Sequence, residues 1–142
     1  MPPRDPLPLF VYGTLRRGCP TPMARWLESV APWIGAAQVH GRLYRLDSYP
    51  GLVPDESGGR VRGDLFRLPD GAVGDAVLAR LDAYEECTPD SPVPHEYARA
   101  VLRVLFQGTM VEAWTYIYRH PTDALDVIEC GDFLRDAAPP SR

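Results

Sequence analysis

Glu85 is the residue whose type and spacing point most directly to chemistry. It lies four positions after Leu81 and eight after Val77, so on a helix it continues their apolar stripe and aims a carboxylate at the interior. Burial disfavours the ionised form and raises a carboxyl pKa toward neutrality, the range in which one group can both take and return a proton. Glu86 instead falls in register with Asp75, Ala79 and Asp82, the polar side of the same helix, where an acid is solvated. Two plainer readings of Glu85 stay open at this point: the helix ends near Tyr84 and the side chain turns to solvent, or it pairs structurally with an arginine such as Arg99.

A second candidate is Tyr12-Gly13-Thr14-Leu15, where an apolar run opens at a glycine. Successive N–H groups there lose their ladder partners and can hold an anion or a developing oxyanion; the alternative is an ordinary strand end. Arg16 and Arg17 follow directly and could meet a substrate carboxylate, or simply be solvated. His40, His95 and His120 are scattered without metal-ligand spacing, and Cys19, Cys87 and Cys130 form no C-x-x-C pair. We expect reduced cysteines, no metal site and no cofactor.

Composition narrows the remaining classes. The 142 residues predict one domain, residues 1–142, with 1–7 and 137–142 flexible. All 15 basic residues are arginine, which excludes Schiff-base and phosphate-loop lysines. A net charge of −4 and a pI near 5.3 give no general attraction for nucleic acid. No apolar run suits a signal peptide or a membrane span, so we expect a cytoplasmic protein with neither nucleic acid nor membrane as partner.

The elements that must position these residues can be read in order. Leu9 to Tyr12 reads as a buried strand. Thr21 and Pro22 start a helix whose apolar positions are Met23, Trp26, Leu27 and Val30, ending before Pro32. Val39–Leu46 and Val61–Leu68 share the pattern V-x-G-x-L-[YF]-R-L at an offset of 22 residues, and predict two strands of one sheet with Gly41 and Gly63 at bulges or close approaches. Between them 47–59 reads as a surface loop whose Tyr49-Pro50-Gly51-Leu52 stretch could overhang a site. A helix over 75–86 follows, striped by Val77, Leu78, Leu81 and Tyr84. A hairpin of 97–106 with 111–118 comes next, and a last apolar segment spans 127–133. The order predicts an α+β fold: a small, curved, mostly antiparallel, barrel-like sheet with flanking helices.

Taken in order, Val11-Tyr12-Gly13-Thr14-Leu15-Arg16-Arg17-Gly18, the G-x-L-[YF] strands at Gly41 and Gly63, Tyr49-Pro50-Gly51, Leu81-Asp82-Ala83-Tyr84-Glu85, Tyr97-x-Arg99 and Gly131-Asp132-Phe133 resemble the gamma-glutamylcyclotransferase superfamily, in its small AIG2-like branch. The resemblance spans nearly the whole chain. It implies a cofactor-free enzyme that releases 5-oxoproline from a small gamma-glutamyl amino acid or gamma-glutamyl amine. Glu85 would be general base and acid, the N–H groups of Gly13, Thr14 and Leu15 would hold the substrate, and Tyr12, Tyr97 and Tyr118 would line the pocket. Members of the family usually carry glycine after this glutamate, whereas Glu86 stands here. A non-catalytic small-molecule-binding module on the same fold is the alternative, and a purely structural interaction domain a third.

Overall fold

A computed structural model describes residues 6–46 and 49–137, and the expectations for the extreme termini fall largely outside them. The elements run β1 (Leu9–Val11), α1 (Pro22–Val30), β2 (Trp33–Arg45), β3 (Pro50–Pro54), β4 (Gly59–Phe66), α2 (Gly71–Tyr84), β5 (Tyr97–Phe106), β6 (Thr109–Tyr118), β7 (Asp126–Val127) and α3 (Phe133–Ala137). The sheet has the strand order β3-β2-β4-β1-β6-β5, and a β2–β5 pairing at Gln38 and Leu105 curls it back on itself. All pairings are antiparallel except β1 with β6. The α+β, barrel-like expectation therefore holds.

Period-two alternation explains why β1 is apolar throughout. Leu9 and Val11 face one cluster, with Leu27 of α1 and Val77 and Leu81 of α2, while Phe10 and Tyr12 face the barrel interior beside Leu43, Leu52, Val61 and Val104. Leu81 is fully buried, so its truncation to alanine would cost about 2 to 5 kcal/mol and loosen the helix that carries Glu85. The start of α1 follows the sequence reading: the Thr21 side chain accepts the Ala24 N–H and Pro22 occupies the first turn.

Two elements differ from expectation. The loop over 47–59 contains β3, an edge strand pairing Gly41↔Pro54 through Arg45↔Pro50. Its prolines sit at its two ends, where a missing N–H is tolerated, and their presence disguised it as loop. Strand β2 begins at Trp33, six residues before the repeated motif, with a bulge between Trp33 and Gly35. Gly41 and Gly63 mark close approaches: a Cβ at Gly41 would fall 2.8 Å from the Val53 carbonyl oxygen, and one at Gly63 would overlap Val11 and the Phe10 ring. No helix among the described residues is long and apolar enough to cross a membrane.

Candidate active site

Helix α2 starts at Gly71 and ends at Tyr84, so Glu85 is its C-cap. Its N–H still donates to the Leu81 carbonyl at 2.9 Å, which keeps the side chain on the Val77–Leu81 side although regular helix has ended. Glu86 N–H donates to Ala83 O and Cys87 N–H to Asp82 O, the paired bonds of a Schellman turn. Glu86 thereby occupies the left-handed C′ position at φ 56°. That conformation suits glycine, so the Glu86 departure from the family pattern falls where a side chain is strained. Glu86 is exposed, though as a cap residue and not on the helix face expected for it. Tyr84, expected in the apolar stripe, is 45% exposed and lines the cavity.

Glu85 is half-buried in the wall of a cavity of about 400 Å³ that also exposes Tyr12, Gly13, Thr14, Leu15, Tyr49, Pro50, Glu96, Tyr97 and Tyr116. Burial, and next the charge of Glu96, push the Glu85 carboxyl up from 4.5 to about 7. Tyr12, Gly13, Thr14, Leu15 and Tyr97 thus meet Glu85 at one cavity. Tyr118 is not among the lining residues. It stands behind Tyr97, edge-on with ring centroids 5.6 Å apart, and against Gly51, where it supports the wall.

The turn after β1 owes its shape to packing. A Cβ on Gly13 would sit 2.8 Å from the Pro50 ring, so the glycine lets β1 approach the start of β3. Among the described residues no protein acceptor takes the main-chain N–H groups of Gly13, Thr14 or Leu15. The phenol protons, by contrast, are committed: Tyr12 donates to Tyr116 O, Tyr97 to Pro50 O at 2.7 Å, and Tyr116 to the Asp82 carboxylate at 2.6 Å. Tyr12 also accepts the Leu52 N–H, and its pKa is raised, first by burial and then by the Glu85 charge. The main-chain donors for a ligand oxygen come from the glycine turn, and the hydroxyls of Thr14 and Tyr84 also line the cavity.

Arg16 and Arg17 do not face the cavity. Arg16 donates to Asp64 at 3.0 Å and Asp132 at 2.8 Å, while Asp64, only 5% exposed, also accepts from the Arg17 N–H and the Trp33 indole. The Arg17 guanidinium lies 4.0 Å over the Trp33 ring. A role in meeting a substrate carboxylate is therefore withdrawn for both; buried Asp64 of β4 and partly buried Asp132, just before α3, claim Arg16 first. Arg99 likewise pairs with Asp82, at 2.9 and 3.2 Å, and not with Glu85. Asp82, expected on the solvated face, ties the last turn of α2 to β5 and β6 through Arg99 and Tyr116, and so steadies the segment bearing Glu85.

Sequence reasoning missed Glu96 and Tyr116 as wall residues. Glu96 precedes β5 after a proline-rich stretch and carries no periodic signal, whereas Tyr116 lies on an alternating strand and could have been assigned to the inner face.

Residues 9–135 match the family model described as gamma-glutamyl cyclotransferase, AIG2-like. The gamma-glutamylcyclotransferase family protein YtfP of Escherichia coli is 33% identical over 133 residues, covering 89% of this chain and 95% of that protein. Its solution structure superposes with a TM-score of 0.62 over 92% of this chain and 99% of its own. A gamma-glutamylaminecyclotransferase from Bos taurus is 30% identical over 126 residues, covering 81% of this chain and 66% of that one. An AIG2-like protein from Mus musculus shares the fold at a TM-score of 0.65 and 24% identity, over 89% and 88% of the two chains. With the family model spanning all but the two ends, the chain belongs to the gamma-glutamyl cyclotransferase, AIG2-like family.

Proposed function

We propose that this protein releases 5-oxoproline from a small gamma-glutamyl compound, with Glu85 as general base and then general acid. The observation that carries this reading is a carboxyl raised to about 7 in the wall of a cavity that Gly13, Thr14 and Leu15 also line, their main-chain N–H groups taken by no protein acceptor among the described residues. A carboxyl near neutrality holds and returns a proton with little penalty in either direction. The substrate's alpha-ammonium gives a proton to the Glu85 carboxylate. The freed nitrogen attacks the gamma-carbonyl carbon of the same molecule and forms the ring C–N bond, while the N–H groups at Gly13, Thr14 and Leu15 take the charge that develops on oxygen. The tetrahedral intermediate then collapses and the bond to the leaving amine breaks: protonated Glu85 supplies one proton to that amine, and the positively charged ring nitrogen gives its extra proton to the re-formed Glu85 carboxylate, which passes it on so that the amine departs as an ammonium ion.

Because nucleophile and electrophile belong to one molecule, the enzyme's main task is to fold the substrate into the ring-closing pose. Such positioning can be worth about 7 kcal/mol or more. Tyr12 and Tyr97, whose protons are held by the protein, contribute shape to that pose. No step requires a cofactor. The test is release of 5-oxoproline from a panel of gamma-glutamyl amino acids and gamma-glutamyl amines. Turnover of any member supports the reading, and binding without turnover across the panel would place the protein among non-catalytic modules.

A further inference from the structure

Beside Glu85 the cavity wall holds two carboxylates that the proposed reaction leaves unused: Glu86, exposed at the helix cap, and Glu96, which is partly buried. Glu96, immediately before β5, lines the cavity with Glu85, and its Oε1 is buried with no hydrogen-bond partner among the described residues. A desolvated carboxylate oxygen without a donor is costly, and the cost is removed when a bound molecule brings the donor. The protein offers little to replace it. No lysine, arginine or histidine is among the residues lining the cavity. Arg16 is held by Asp64 and Asp132, and Arg99 by Asp82. The phenol protons of Tyr97 and Tyr116 go to Pro50 and Asp82.

A gamma-glutamyl substrate has nitrogen donors at two places, the alpha-ammonium and the group to be released. Glu96 on the alpha-ammonium would oppose the reaction, because a second carboxylate there favours the protonated, non-nucleophilic form. Glu96 on the leaving group carries no such conflict. A leaving group with its own carboxylate, by contrast, would set an anion against three acids, Glu85, Glu86 and Glu96, with no cation in the wall to receive it. We propose that Glu96 is a specificity residue that selects gamma-glutamyl compounds whose leaving amine carries a second, positively charged nitrogen, as a diamine does. This rests on the reading of the cavity as a gamma-glutamyl site.

The experiment compares three probes of matched length: the mono-gamma-glutamyl derivatives of cadaverine, hexylamine and 6-aminohexanoic acid, whose leaving groups end in a cation, a methyl group and an anion. Both kcat/KM and Kd are measured. The cationic probe should exceed the neutral one by roughly ten- to a hundredfold, the range of one hydrogen bond to a charged group, with the anionic probe weakest. Glu96→Gln, which keeps shape and removes charge, should bring the cationic and neutral probes to within about threefold of each other, a ratio in which any common effect on Glu85 cancels. Equal values for the two probes in the wild-type protein would overturn the inference, as would a preference that survives in Glu96→Gln. If none of the probes turns over, the reaction assigned above fails, and the Kd ratio alone decides the inference: preference for the cation upholds the electrostatic selection, and equality refutes it.

Discussion

Replacing Glu85 with glutamine is expected to stabilise the protein above neutral pH and to change little in acid. The fold raises this carboxyl from 4.5 to about 7, chiefly by burial and secondarily through Glu96. A group whose pKa rises on folding binds its proton more tightly in the native state. Its stabilising contribution is complete below the unfolded value of 4.5, declines as pH rises, and is gone above about 7, where the native state must hold an unwanted charge. At about 1.36 kcal/mol per pH unit, the shift from 4.5 to about 7 sets a ceiling of about 3 kcal/mol. Partial solvent access reduces that to about 2 kcal/mol. Glutamine is nearly isosteric and never ionises, so it escapes the cost. For a chain of this length the gain corresponds to a rise in Tm of about 4 to 8 °C. Urea unfolding of both proteins at pH 4.5 and pH 8 isolates the effect, since other titrating groups cancel in the difference. A glutamine variant less stable than wild type at pH 8 would refute the reasoning, because a structural ion pair, and not a strained acid, loses stability when neutralised.

Other consequences follow from the same geometry. The acid limb of kcat/KM should bend near pH 7 and fall about tenfold per unit below it, since Glu85 must be ionised to accept a proton; a limb near pH 4.5 would mean that it titrates as an ordinary carboxylate. Gly13→Val should lower kcat/KM by roughly a hundredfold while the protein still folds, because its Cβ would meet the Pro50 ring at 2.8 Å and displace a cavity wall; unchanged kcat/KM would remove the glycine turn from the site. Glu86→Gly should stabilise the protein by about 1 kcal/mol in chemical denaturation by relieving the left-handed cap at φ 56°; a loss of stability would show that the side chain compensates its backbone.

Local chemistry was legible in the sequence where one element sufficed to express it. Glu85 could be placed because the Leu81 carbonyl still receives its N–H after the helix ends, so the four-residue spacing survives into the cap. Thr21 and the β5–β6 hairpin were readable for similar reasons, being short-range features. Arg16 was misjudged because its partners Asp64 and Asp132 lie 48 and 116 residues away and reach it only when the barrel closes. Glu96 was invisible as a wall residue because no periodic element carries it; β1, α2 and the start of β5 must converge before it faces Glu85. Strand β3 was hidden by its own prolines, which are loop signals everywhere except at the ends of an edge strand.

The most direct test of the central claim is 5-oxoproline release by purified Glu85→Gln beside wild type, on whichever gamma-glutamyl substrate the panel identifies, with the folded state of both verified by denaturant unfolding. General acid/base catalysis by Glu85 predicts a fall in kcat of at least about 10²-fold to 10⁴-fold with stability preserved or raised. A folded Glu85→Gln protein that continues to turn over, or an activity silenced by Glu86→Gln in its place, would contradict the account.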